Sequence, residues 1–238
     1  MKIVKITMLL FFFMGVVGCS NTEEKALQYL EDKYAEEFEV MWVNDDLVTV
    51  HPKGKTDVVF SIQEDGNGYV DTYLPAKWAQ ELQEKLKVDI EKELPANSEF
   101  KLVLSRTRFN ESMADMSINE LIEQNKNIGV DLVVGIKTAG EPDINQYSQG
   151  LYNLYNLLKS LGLKNYLISV GFVNNSEDIS EFIQTSYVNN MSWSNLDATV
   201  YGELGIDERH NADYPSTLVD PNLILKDVED VEKHYQKF

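Results

Sequence analysis

Val130-Asp131-Leu132-Val133-Val134-Gly135-Ile136-Lys137-Thr138 is a nearly continuous apolar run, and how it is read decides the fold. Hydrophobicity that does not alternate marks a strand covered on both faces. Asp143 then stands as a helix cap, and Ile144, Tyr147, Leu151, Leu154, Leu158 and Leu161 recur at helical spacing. The stripe stops at Gly162 with Leu163 just beyond, the pattern of a Schellman-type helix end. Residues 166–173 form a second apolar run of the same buried kind. Strand, helix and strand in that order predict a βαβ unit with a right-handed crossover.

The same rhythm extends to either side. Residues 100–109 read as a strand with Phe100, Leu102 and Leu104 on one face, and Ser117 with Glu120 has the spacing of a capping box. A helix over 177–185 and a strand over 199–204 complete an α/β-like domain spanning 98–206. Residues 207–222 are polar and contain proline, which predicts a surface loop, and 227–237 read as a short terminal helix. The C-terminal segment is therefore 207–238.

Upstream of Pro95-Ala96-Asn97 the pattern differs. Ala26, Leu27, Leu30, Tyr34 and Phe38 form one helical stripe, opposed by Glu23, Glu24, Glu31, Asp32, Glu36 and Glu37. Short β-prone runs follow over 40–43, 47–51, 56–63 and 69–74. Asn44-Asp45-Asp46 and Asp65-Gly66-Asn67-Gly68 supply turns, the second a strong hairpin signal. Pro75 suits the first turn of a helix that carries Trp78, Leu82 and Leu86 and ends before Pro95. Residues 19–95 thus form an α-β-β-β-α module in which the 69–74 run is the return of the third strand's hairpin, and the chain as a whole is of the α+β class: a small helix-on-antiparallel-sheet unit followed by the α/β-like unit. In element order and size the first unit resembles small cell-envelope modules of the PepSY and cystatin-like kind, which implies a helix packed on a curled antiparallel sheet.

The N-terminal segment has its own logic. Lys2 and Lys5 precede an apolar run of about 12 residues, too short for the roughly 20 that a helix needs to cross a bilayer and suited to the core of a secretory signal. It closes on Val16-Val17-Gly18-Cys19, and Cys19 is the sole cysteine of the 238 residues. These four residues resemble the lipobox of bacterial lipoproteins. The resemblance implies a signal peptide over 1–18, cleavage between Gly18 and Cys19, and a diacylglyceryl-cysteine at Cys19, with palmitate among its acyl groups. Two acyl chains are what stable anchoring requires, each buried methylene contributing about 0.8 kcal/mol. The implied location is the extracytoplasmic face of the cell membrane, with lipid as a partner through Cys19.

Charge and cysteine usage exclude several classes. The chain carries a formal charge of −18, which becomes −20 once Lys2 and Lys5 leave with residues 1–18. A body so acidic is repelled by nucleic acid phosphates and by anionic lipid, so nucleic acid is not an expected partner and membrane residence falls to the anchor. No cysteine follows Cys19, so there is no disulfide framework and no thiolate metal site.

No catalytic set emerges from the motifs. A G-x-S-x-G nucleophile elbow is absent, and so is H-E-x-x-H. Ser98 and Lys101 have S-x-x-K spacing, but that motif works at a helix start and here it leads into a strand. Of the histidines, His51 before Pro52 reads as a turn residue. His210, within Asp207-Glu208-Arg209-His210, is the one set among polar side chains, where a solvated loop competes with a metal or acid–base role. Asp65 to Asp71 fails as a calcium loop, because Val70 and Ala76 occupy the positions where glycine and glutamate are required. Tyr147, Tyr152 and Tyr155 suit a core edge better than a ligand groove. No metal, cofactor or catalytic residue is therefore expected. The functional expectation is a lipid-anchored binding or accessory module for an envelope protein or peptide; the alternative is an envelope hydrolase using acidic residues of the α/β-like domain.

Overall fold

A computed structural model describes residues 21–238 apart from 67, 106–108, 110 and 189. The signal segment, Gly18 and Cys19 lie outside the described residues. Among the described residues no helix is long and apolar enough to cross a membrane. The fold is α+β, with helices on two separate sheets.

Helix α1 (Asn21–Tyr34) turns Ala26 and Leu30, both fully buried, toward the first sheet. The helical stripe predicted from the sequence continues to Phe38, but Ala35 takes a φ of 53° and ends the helix one residue after Tyr34. Phe38 instead opens strand β1 (Phe38–Asn44) and still reaches the same core. Strands β2 (Leu47–Pro52), β3 (Phe60–Asp65) and β4 (Gly68–Asp71) follow as an antiparallel meander in chain order. Two-residue loops join β1 to β2 and β3 to β4, since Asn44 pairs with Leu47 and Asp65 with Gly68. The positive φ values of Asp45 and Gly66 are what such tight hairpins demand. Phe38, Phe60 and Tyr73 stack edge-on or tilted in this core, with ring centroids 5.0–5.7 Å apart.

Helix α2 (Tyr73–Glu93) is the longest helix, longer than the helix after Asp143. The sequence groups it with the first unit, ahead of a boundary at Pro95. Its buried face divides differently. Tyr73 belongs to the first core, whereas Leu74, Trp78, Ala79, Leu82 and Ile90 belong to the second. The reason is continuity. The helix runs unbroken from the end of β4 until Leu94, whose backbone is extended ahead of Pro95, so its later turns are carried away from the first sheet and over the second.

The second sheet has the order β5 (Ser98–Ser105), β6 (Gly129–Thr138), β7 (Asn165–Asn174), β8 (Val200–Asp207), β9 (Tyr235–Lys237). Strands β6 and β7 are parallel and joined through α4 (Asn145–Ser160), as the opening stretch predicts; every other pairing is antiparallel. Helix length explains why only one of the strand–helix–strand alternations became a βαβ unit. At 1.5 Å per residue, α4 spans about 24 Å and can return the chain along a ten-residue strand. The seven residues of α3 (Ile118–Gln124) and the six of α5 (Ser180–Thr185) span only about 10 Å, so the following strand runs the other way. The capping box of Ser117 and Glu120 is formed at α3, and Gly162 carries a φ of 67° just beyond α4.

Both faces of this sheet are covered. Val130, Leu132, Val134 and Ile136 of β6 and Ile168, Val170 and Phe172 of β7 face the large core under α2 and α4. Gly150 lets those two helices meet, because a Cβ there would lie 2.1 Å from the Glu93 carbonyl oxygen. On the opposite face Val173, Ile179, Phe182, Ile183 and Trp193 form a smaller core. Gly135 and Gly171 are cross-strand partners, and the Trp193 indole rests on Gly171 and donates from Nε1 to the Ser169 hydroxyl at 3.1 Å. The C-terminal segment contains a short helix, of 3-10 type and over Val228–His234, and then β9, a strand the sequence did not announce, which adds an edge to the sheet.

A Cβ on Gly171 would stand 2.1 Å from the Trp193 ring, while one on Gly140 would meet nothing within 4 Å. Gly171→Ala should therefore lower the unfolding free energy by about 1–3 kcal/mol, the usual cost of overpacking. Gly140→Ala should stay within about 0.5 kcal/mol of the parent. Urea denaturation of the two variants checks this, and equal midpoints would contradict the packing described.

Candidate functional site

The two sheets do not close on each other. Between β4 and the first turns of α2 on one side, and β5 with the end of α5 on the other, lies a cleft of about 1160 Å³. Its walls carry Tyr69, Phe109 and Tyr187 beside Lys33, Asp71, Lys101 and Ser105. A concave site of this volume, largely apolar with a few convergent polar groups, has the character of a small-molecule or peptide site.

One wall is electrostatically closed. Asp71, at the end of β4, has a side chain only 2% exposed. It pairs with the Lys33 ammonium at 2.9 Å and accepts from the Tyr34 hydroxyl at 2.8 Å and the Tyr73 backbone N–H at 3.1 Å. Lys33 also donates to the Tyr29 hydroxyl at 3.2 Å. Burial by itself would lower the Lys33 pKa, but the hydrogen bonds Lys33 donates to Asp71 and Tyr29 outweigh it and hold the ammonium well above its ordinary range. Burial, reinforced by the Asp71 carboxylate, pushes the Tyr34 phenol up as well. This network welds α1 to β4 and presents a neutralised pair to the cleft.

The facing wall is different. Lys101 lies on β5, and its Nζ donates to the backbone carbonyl of Gln184 at 3.0 Å and that of Asp57 at 3.5 Å. Burial lowers its pKa to about 8, against a smaller opposing pull from Asp57. Alternation along β5 places Lys101, Val103 and Ser105 on one face, away from Leu102 and Leu104 in the large core. Ser105 is 6% exposed, and its hydroxyl has no hydrogen-bond partner among the described residues.

A second polar cluster sits at the far end of the second sheet. The loop expected over 207–222 begins with buried residues instead: Asp207 and His210 are 5% and 7% exposed. The Asp207 backbone N–H donates to His210 Nδ1 at 3.0 Å, and Arg209 clamps the Asp207 carboxylate through Nε and Nη2. Burial would raise the Asp207 pKa; His210 and Arg209 reverse that and hold it well below the usual carboxylate range. His234 packs edge-on against His210, with centroids 4.5 Å apart, and its Nδ1 lies 3.1 Å from the Gly205 carbonyl. Burial, aided by His210, lowers the His234 pKa to about 4. Among the described residues no group of three or more His, Cys, Asp or Glu side chains is placed to hold a metal ion; the bonds of Asp207 to Arg209 and His210 tie the end of β8 to the turn that follows it.

The remaining residues singled out by the sequence are dispersed. His51 is a buried strand residue paired with Glu39 across β1 and β2, not a turn residue. Ser98 and Lys101 both lie on β5, three residues apart and hence on opposite faces. Asp65 and Gly68 form a hairpin end, with Asn67 outside the described residues. Tyr147 packs on Phe172, Tyr155 meets the Tyr166 hydroxyl at 3.4 Å, and the Tyr152 hydroxyl donates to the Lys226 carbonyl at 3.3 Å; all three close the core edge rather than line the cleft. The cleft itself was not visible in the sequence. Lys101 shares its face of β5 with Glu99 and Ser105, a pattern that reads from sequence as a solvent-facing polar side.

No protein-family model matches the chain, and no curated protein matches it significantly. Among solved structures the chain is similar to a DUF5037 family protein from Ruminococcus gnavus, with 16% identity over 77% of this chain and 89% of that one and a TM-score of 0.40.

The His234 environment makes a pH prediction. Its folded pKa, about 4, lies below the ordinary value of about 6.5, so the unfolded chain binds the proton more readily. The neutral ring's contribution is fully present above about pH 6.5 and is lost as pH falls toward 4. The Asp207 contribution is lost at still lower pH, as its carboxylate is forced to protonate. His234→Gln should flatten the loss between pH 6.5 and 4 by about 1–2 kcal/mol, a figure reduced for partial exposure. Urea unfolding at pH 7.0 and 4.5 measures it; parallel slopes for parent and variant would contradict the assignment.

Proposed function

We propose that the chain is a lipid-anchored binding module on the extracytoplasmic face of the cell membrane, whose cleft holds part of another envelope component. The observation that carries this reading is the open cleft of about 1160 Å³ between the two sheets, flanked by aromatic rings and by a few fixed polar groups. Support for the anchor comes from Val16-Val17-Gly18-Cys19 at the end of a short apolar segment. Helix α1 begins two residues after Cys19, so a lipid there would hold the body, and the cleft beside α1, close to the bilayer. The acidity of the chain suits this arrangement, because the folded surface would be held near the membrane without adhering to anionic headgroups.

The test is a photo-crosslinking residue placed in cells at Tyr187, which lines the cleft and is 45% exposed, and at Val88, which is 75% exposed on the outer side of α2. The expected result is one discrete, saturable adduct from position 187 and none from position 88, with Cys19→Ser moving the protein out of the membrane fraction and abolishing the adduct. No adduct at 187, or the same adduct from both positions, would overturn the binding reading. A Cys19→Ser protein that stays with the membrane would overturn the anchor.

A further inference from the structure

We infer that the cleft takes a ligand with a single carboxylate, seated on the Lys101 ammonium, and with a hydrogen-bonding group at its other end that reaches Ser105. The inference rests on the reading of the cleft as a binding site and adds the chemistry of what it binds.

The lysines of this region are satisfied in different ways. Lys33 has the Asp71 carboxylate at 2.9 Å, and Lys137, on the neighbouring strand, has Glu99 at 2.8 Å. Lys101 has only two backbone carbonyls, and among the described residues no carboxylate lies within ion-pair distance of it. An ammonium has three donors, so one is left over on the cleft side. Taking a cation partly out of water without a counter-charge is costly, and the lowered pKa of this amine records that cost. A chain with 39 acids against 21 bases could readily have supplied a partner carboxylate, as it does for Lys33 and Lys137. Carbonyl oxygens on Gln184 and Asp57 instead fix the amine, and the Asp57 carboxylate pulls on it only from beyond ion-pair distance, which is the arrangement that receives an anion from outside.

Ser105 gives the second, independent observation. Its hydroxyl is buried, in a residue that lines the same cavity on the Lys101 face of β5, and has no partner among the described residues. Leaving such a group unsatisfied is destabilising, and a ligand would relieve that cost. Strand geometry separates residues 101 and 105 by about 13 Å, so the two groups mark the ends of a ligand of roughly tetrapeptide length. Val103 lies between them, and Phe109, Tyr69 and Tyr187 flank its apolar middle. Charge selects a monoanion over phosphates and other polyanions: Asp57, Asp65 and Asp71 also line the cleft, Lys33 is already neutralised by Asp71, and the whole chain is strongly acidic. One lysine compensates one negative charge.

A library of N-acetyl tetrapeptides as free acids, offered together with the same library as C-terminal carboxamides, tests this by affinity selection on the purified full chain with mass-spectrometric readout. The expected result is retention of the acids over the amides by about tenfold or more, the range of one charge-assisted hydrogen bond. Lys101→Met should lose that preference with an unchanged thermal midpoint, and Lys101→Arg should keep it. Ser105→Ala should weaken the retained acids by about threefold or more without changing the acid-over-amide ratio. Equal retention of acids and amides, a preference that survives Lys101→Met, or no retention of either library overturns the inference. If position 187 still gives its discrete adduct in cells, the binding reading stands and only the carboxylate assignment falls; loss of both results removes the reading itself.

Discussion

Helix α2 is shared between two cores, and the rest of the architecture depends on that sharing. Tyr73, at its start, is packed among Phe38 and Phe60 of the first sheet, while Trp78, Leu82 and Ile90 are buried over the second. A helix of 21 residues is about 32 Å long and has no glycine or proline in its later turns to let it bend. Both sheets are therefore referred to one rigid element. Trp78 is tied further by a hydrogen bond from its indole Nε1 to the Met116 carbonyl at 2.8 Å. At the far end, Asn153 of α4 donates to the Glu93 carboxylate at 2.6 Å, beside the close approach at Gly150. The cleft is the space that remains because a common helix, rather than a direct face-to-face contact, joins the sheets.

The electrostatics of the cleft follow from the same arrangement. Where α1 and β4 are packed together, a lysine and an aspartate find each other and cancel. Lys101 comes from β5 and is bonded to backbone carbonyls of the 53–59 loop and of α5, with the Asp57 carboxylate acting on it only from beyond ion-pair distance. Two lysines on opposite walls of one cavity thus differ in kind: one holds structure together and the other is left to bind. At the opposite end of the sheet Asp207 and His210 are bonded to each other, Arg209 covers the carboxylate and His234 packs edge-on against His210, which fixes the end of β8.

Much of the fold was legible in the sequence wherever one local signal decided the outcome. The apolar runs 130–138 and 166–173, the leucine stripe between them and Gly162 define β6, α4 and β7 almost to the residue. Asp65-Gly66-Asn67-Gly68 and Ser117 with Glu120 marked a hairpin and a helix start that the structure contains. What failed depended on contacts distant in the chain. The alternation of strands and helices did not reveal that α3 and α5 are too short to reverse the chain, and so overstated the parallel pairings. Helix α2 was grouped with its neighbours in sequence, although its apolar face is used by strands that come later. The polarity of 207–213 suggested solvent, yet Asp207 and His210 are buried by mutual hydrogen bonding, a cooperative effect that composition does not register. The cleft was hidden for a related reason: Lys33, Asp71 and the pair Lys101 and Ser105 come from three elements, α1, β4 and β5, and no spacing rule unites them.

The central claim is that α2 couples the two sheets into one cooperative body with a preformed cleft. Native-state hydrogen exchange under low urea tests it most directly, by comparing the opening free energies of amides in β2–β3 with those in β6–β7. The account predicts that the slowest amides of both sheets exchange through a common global opening with the same free energy and the same urea dependence. A first sheet that opens at markedly lower free energy while α2 and the second sheet stay protected would contradict it.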